Sequence, residues 1–353
     1  MENLTHTFVG IALGKAGLDK MAENAVPLLV VAANLPDADI VSPLFGVGYL
    51  DFHRGITHAL AGVTALSAAL AAAWWGGERV VQRASPLRAR FLPLWLISFL
   101  GLLTHPLLDY LNDYGIRPWL PFSRRWYYGD LISIVDPWIW IMLVASLCVY
   151  ATGRGGKILW GCLAGAMAAL IAAAAGFTSC AAWSAVLALS VAAAVLLKRS
   201  GFQPASIALA VLLAYVAGIA VVRQVQLREL AGAAPAIAGD RVERVDLLPA
   251  RPGSGHRWVA VISTARRFHI ADLDRGDLRR NPPPFEVFEK NLDQECVQRA
   301  VTQEPVAQMA RFARFPSALV QAGPQGCTVF LRDLRYARRA LSGWGVASTT
   351  VGH

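Results

Sequence analysis

The sequence predicts a mainly α protein: a polytopic transmembrane helical bundle followed by a small C-terminal β-rich or α+β soluble domain. Three observations carry this. The 353 residues are 55% hydrophobic and only 16% charged, with a mean hydropathy of +0.44, whereas soluble domains carry about 25% charged residues. The charge is unevenly spread, with 25 charged residues in 1–222 and 32 in the shorter stretch 223–353. Six segments of the first part approach the ~20 apolar residues that a spanning helix needs. This composition excludes a disordered chain, which combines low hydrophobicity with high net charge. The net charge of +9 divides as +3 and +6. No Lys/Arg cluster is interleaved with aromatics, so no direct nucleic-acid partner is expected.

The elements follow in order. The N-terminus lacks the basic stretch and small-residue cleavage site of a signal peptide, so no cleavage is expected there. The apolar run Val26 to Ala33 ends at Asn34-Leu35-Pro36-Asp37. It is too short to span and reads as a buried or re-entrant helix. Spans are expected at 58–75, 91–111, 131–151, 158–176, 180–197 and 203–222. The first three carry His and Asp near one end; the last three are Ala/Leu/Val-rich and nearly free of charge. The membrane domain is therefore 1–222. Residues 223–239, Ala/Gly-rich at 231–238, read as a linker. The outer domain is 240–353, with strand-like runs Val242 to Leu248, Trp258 to Ser263, Phe268 to Leu273, Phe285 to Phe288 and Thr328 to Leu331. Pro305 to Phe312 is helix-like, since proline is tolerated in a first turn. His256 and His269 are isolated and read as surface or strand residues.

Lys and Arg in short loops set orientation. With six alternating spans, Arg79, Arg83, Arg88, Arg90, Arg154, Lys157, Lys198 and Arg199 fall on one side. That side is assigned to the cytoplasm of a bacterial inner membrane. The N-terminal region, loop 112–130 and the outer domain then face the periplasm, where Cys296 and Cys327 could form a disulfide. The run Trp126-Tyr127-Tyr128 reads as an interfacial belt.

The unusual residues lie at the outer ends of the spans. They are all four histidines of the membrane part (His6, His53, His58, His105) and Asp37, Asp39, Asp51, Asp109, Asp113, Asp130 and Asp136. Ionisable groups at membrane depth cost several kcal/mol unless they pair, line a cavity or bind ions. His105 and Asp109 are four apart and share a helix face, so imidazole and carboxylate can grip one ion. His53 and His58 are five apart, with Gly55 as a turn and Thr57 as an N-cap. Asp113 and Asp130 suit turns. Histidine and carboxylate without cysteine suit Zn, Mn or Fe. The ligand candidates are His6, Asp37, His53, His58, His105 and Asp109, enough for about one to three divalent ions. Asp39 and Asp136 are candidates for general base chemistry. Arg54 is a candidate contact for a phosphate oxygen, or else pairs with Asp51.

These residues carry a resemblance. Thr5-His6, Leu35-Pro36-Asp37-Ala38-Asp39, His53-Arg54-Gly55-Ile56-Thr57-His58, and Thr104-His105-Pro106-Leu107-Leu108-Asp109 through Asn112 and Tyr114-Gly115 resemble the YdjM-type family over roughly residues 1–140. The resemblance implies an inner-membrane-associated, metal-dependent hydrolase, and the family also bears a LexA-binding label. The order His, Asp, His, then His-x-x-x-Asp is more distantly similar to the zinc-dependent phospholipase C and S1/P1 nuclease group, which is helical and uses three zinc ions. The matching positions are His6, Asp37, His53 or His58, and His105 with Asp109. The chain departs from that group in having no His between His105 and His256. It also begins Met1-Glu2-Asn3 rather than with a zinc-binding Trp.

The function expected from the sequence is metal-dependent hydrolysis of a phosphoester in a lipid or lipid-linked molecule, with membrane lipids as surroundings. An ion-coupled or metal transporter, and a non-catalytic scaffold or regulator, are the alternatives. A zinc protease is disfavoured because His-Glu-x-x-His is absent.

Overall fold

The computed structural model describes residues 1–45, 48–81, 90–151, 153–175, 177–250, 257–274, 276–280, 283–324 and 326–352. The chain forms two compact units. The first comprises Met1–Ala38 and Arg54–Ala220; the second comprises Asp39–His53 and Val221–His353.

Nine helices are described before the first strand. They are α1 (Asn3–Lys15), α2 (Ala25–Asn34), the four-residue α3 (Tyr49–Phe52), α4 (Leu60–Val81), α5 (Phe91–Tyr110), α6 (Pro137–Cys148), α7 (Gly153–Ala175), α8 (Phe177–Arg199) and α9 (Pro204–Ala238). A 3-10 helix (Leu35–Phe45) continues α2, and a single 3-10 turn (Ile56–His58) precedes α4. Among the described residues, five helical stretches are long and apolar enough to cross a membrane: Ala25–Leu44, Leu60–Val80, Phe91–Tyr110, Ala181–Arg199 and Pro204–Ala238.

Three expectations change here. The run Val26 to Ala33 does not end at Pro36, because the 3-10 helix carries it to a length of 20 residues. Proline fits the opening of a helix, where its missing N–H is not needed. The expected span 131–151 is helical only over the 12 residues of α6, since Pro137 fixes the helix start and Asp136 caps it. The expected linker 223–239 is instead helical as far as Ala238, forming the last turns of α9, as its alanine content favours. Arg83, Arg88 and His256 lie outside the described residues.

In the first unit α2 packs against α1 and α5, and α4 packs on α5. Leu28, Leu29, Ala71, Leu94 and Ile97 form one apolar core cluster, and Ala32, Val63 and Leu102 form another. Glycine permits the close approach. A Cβ on Gly101 would lie 2.7 Å from Ala32 Cβ, and one on Gly10 would lie 2.9 Å from Leu29 O. These contacts set α5 beside the end of α2, where the polar residues are.

The second unit holds two antiparallel sheets. Strands β1 (Val242–Pro249), β2 (Trp258–Thr264), β3 (Arg267–Leu273) and β4 (Glu286–Glu289) form a meander; β5 (Pro316–Gly323), β6 (Gly326–Asp333) and β7 (Val346–Val351) form the other sheet. The short helices α10 (Asp277–Arg280), α11 (Glu295–Ala300) and α12 (Val306–Phe312) lie between. The register pairs Val261 with Ile270 and Leu331 with Ala347. The core joins Leu248, Val261, Phe268, Ile270, Phe315 and Leu334. Cys296 and Cys327 are disulfide-bonded. The segment around α3 belongs to this unit: Asp51 takes Arg311 Nε at 2.9 Å and Nη2 at 2.6 Å.

Candidate metal centre

Four residues of the first unit converge. Asp37 comes from the 3-10 extension of α2, His58 from the turn before α4, and His105 and Asp109 from one face of α5. One donor atom from each lies within 4.8 Å of the others. His58, His105 and Asp109 are at most 1% exposed, and Asp37 is 17% exposed. His105 Nε2 is 3.2 Å from Asp37 Oδ1 and 3.7 Å from Asp109 Oδ2. His58 Nε2 is 3.5 Å from Asp37 Oδ1 and 3.4 Å from Asp109 Oδ2.

These separations test whether the residues fit a metal ion. Four donors at 2.0–2.1 Å around a tetrahedral ion lie about 3.3 Å apart, close to the four distances found. The protonation pattern agrees. His105 Nδ1 lies 2.6 Å from Ala33 O. A carbonyl only accepts, so Nδ1 carries the proton, and the neutral ring turns its Nε2 lone pair toward Asp37. A lone pair facing a carboxylate calls for a cation between them. A histidine ligand that donates its other N–H to a carbonyl is the usual arrangement around a bound metal. The donor set of two imidazoles and two carboxylates suits Zn, Mn or Fe.

The other candidate residues stand in different places. His6 on α1 stacks on His105, with centroids 3.7 Å apart and planes 13° apart. Its Nε2 lies 3.3 Å from Met1 O and 3.5 Å from Asp109 Oδ1, so it flanks the four-donor group. Burial, reinforced by the nearby His105, holds the His6 imidazole well below the ordinary histidine value. Asp39 and His53 belong to the second unit and pair with each other, Asp39 Oδ1 to His53 Nδ1 at 2.8 Å. Asp136 accepts from the backbone of Trp138 at 2.9 Å and of Ile139 at 3.4 Å, capping α6. Its other oxygen accepts from Tyr215 at 2.9 Å. Arg54 lies on Asp109, while Asp51 has Arg311.

Several participants have no signature in the chain. The Ala33 carbonyl is a backbone atom, and Tyr215 lies in an apolar helix far from the motifs. Thr57, 3.0 Å from His58 Nδ1, was legible only as a cap.

Residues 1–179 match a family model described as YdjM inner membrane protein. The chain is 33% identical over 166 residues to the uncharacterized protein YfhP of Bacillus subtilis (strain 168), covering 44% of this chain and 48% of that protein. It is 29% identical over 164 residues to the inner membrane protein YbcI of Escherichia coli (strain K12), covering 39% of this chain and 90% of that protein. The match to YfhP thus spans about half of that relative. No solved structure matches the chain.

Proposed function

The chain belongs to the YdjM inner membrane protein family, and from that premise we propose that it is a membrane-bound, metal-dependent hydrolase acting on a phosphoester of a lipid or lipid-linked molecule. The observation that carries the reading is the convergence of Asp37, His58, His105 and Asp109 in a buried group. Polar residues at the ends of apolar helices would meet a substrate whose scissile group sits at the lipid–water boundary.

Asp37, His58, His105 and Asp109 would hold the ion. When bound, a transition metal would supply Lewis acidity, and an ion that accepts a fifth ligand beyond the four side-chain donors would bring the pKa of a coordinated water to about 7. The Ala33 carbonyl keeps His105 in the tautomer whose Nε2 can bind. The stacked His6 ring limits the rotation of His105. The surrounding apolar side chains exclude bulk water from the buried donors, which strengthens each electrostatic contact. Zn is the favoured ion, with Mn and Fe as the other fitting choices. The site and the outer domain are assigned to the periplasmic side. The Cys296–Cys327 disulfide supports this, because disulfides persist in oxidising compartments.

The test is metal content of detergent-purified protein by inductively coupled plasma mass spectrometry, wild type beside a His105→Ala/Asp109→Ala double variant. Wild type should hold about one to three equivalents of a transition metal, lost in the double variant. Each single variant should insert normally yet release no phosphorylated product from phospholipid or lipid-linked substrates in mixed micelles. Full activity in either single variant, or no stoichiometric metal after reconstitution with Zn or Mn, would overturn the reading and favour a carrier or a scaffold.

A further inference from the structure

Arg54 has a more specific position than a phosphate contact requires. Its Nε lies 2.9 Å from Asp109 Oδ2, and its Nη2 donates to Oδ1 at 3.0 Å. The guanidinium thus lies against both carboxylate oxygens, ion-paired at Oδ2 and hydrogen-bonded at Oδ1, a two-point contact that the planar shape of Arg permits. Nη1 donates to Asn112 Oδ1 at 3.0 Å and to Gly115 O at 3.3 Å. The guanidinium carbon sits 4.5 Å from the centroid of the Tyr114 ring, in cation–π range. The residue is 4% exposed.

A guanidinium has five N–H donors. Three of them donate to Asp109 Oδ1, Asn112 Oδ1 and Gly115 O, and Nε faces Asp109 Oδ2, so a substrate anion would have to compete with protein acceptors. The acceptors are themselves fixed. Asn112 Oδ1 also takes the backbone N–H of Tyr114 at 2.9 Å, which shapes the turn after α5. Gly115 has φ +88°, a left-handed conformation open to glycine at no steric cost. The stretch Asn112-x-Tyr114-Gly115 is therefore a socket for one arginine.

We propose that Arg54 is a positioning residue for Asp109. It stops the carboxylate from rotating and presents Oδ2 to His58 and His105, which lie 3.4 and 3.7 Å from it. This rests on the metal-site reading above. Position and charge make opposite demands. A cation next to a ligand carboxylate repels a divalent ion, so a purely electrostatic Arg54 weakens metal binding and its removal tightens it. A positioning Arg54 does the reverse.

The experiment measures Co2+ binding to the full-length protein in detergent, by chelator competition and by visible absorption of the bound ion. Arg54→Gln and Arg54→Lys should each weaken Co2+ binding by about 10–100-fold and alter the absorption bands. Asn112→Leu, which removes the acceptor for Nη1, should change both readouts in the same direction by less, and it decides the matter if the Arg54 variants do not fold. Tighter Co2+ binding in Arg54→Gln would overturn the positioning role and leave the metal site standing. So would wild-type affinity and absorption in Arg54→Lys and Asn112→Leu. Absence of Co2+ binding by the wild type would remove the metal centre, and this role with it.

Discussion

The contact between His105 Nδ1 and Ala33 O shows how much one hydrogen bond can decide. It fixes the ring's tautomer and therefore which nitrogen can bind an ion. Another histidine behaves differently. His269 on β3 is 6% exposed, beside Ile262 and Val287 in neighbouring strands. Burial lowers its pKa, and Arg267 adds to the shift, against smaller opposing effects of Asp240 and Glu289. The folded state therefore binds a proton less readily than the unfolded state. The stability is fully present above the unfolded value of about 6.5 and falls as pH drops from there through the folded value. The outer domain's thermal midpoint should be lower at pH 5.5 than at pH 7.5, and His269→Gln should shrink that difference. An equal difference in the variant would assign the acid sensitivity elsewhere.

At the scale of elements, helix ends carry the chemistry. The spacing of His105 and Asp109 was legible because both lie on one helix, where residues four apart share a face. Their partners Asp37 and His58 were legible as candidate ligands of the same outward-facing cluster, but not as the two that complete one four-donor group, because 3-10 segments of separate elements place them. Asp136 shows the converse. It was readable as a site residue, and the structure uses its carboxylate to cap α6 and to accept from Tyr215. Asp136→Ala should cost about 0.5–2 kcal/mol of stability as a lost cap, while metal content stays at the wild-type level. Metal loss in that variant, with the fold intact, would return Asp136 to the site. Helix packing has its own test. Gly101→Val places a branched side chain against Ala32, and overpacking of this kind costs about 1–3 kcal/mol. An unchanged melting temperature in detergent would mean that α2 and α5 can separate.

At the scale of the whole molecule, the disulfide and the topology belong together. Cys296 and Cys327 are 31 residues apart, and closing such a loop in the unfolded chain is worth roughly 3–4 kcal/mol. Alkylation without reductant should leave both sulfurs unlabelled, whereas labelling of both would end the idea. A C-terminal reporter active only in the periplasm should be active. A silent reporter with a positive cytoplasmic control would invert the proposed orientation.

The sequence by itself determined the division into a membrane part and a soluble part, because bilayer thickness and charge density act on composition and length alone. It also determined the family and the residue types of a candidate metal site, since histidines and aspartates at helix ends stand out against apolar surroundings. The strands β5 and β7 escaped it, because Pro316 and the mixed small and polar residues give no clean alternation. Tertiary structure alone decided which of the six candidate ligands form one four-donor group, that His6 stacks beside it, and that Arg54 holds Asp109 rather than Asp51. The reason is physical. Spacing along one helix fixes which side chains share a face, but contacts between segments depend on how closely backbones approach. Here that approach is set by glycines and by carbonyls that carry no side-chain signal.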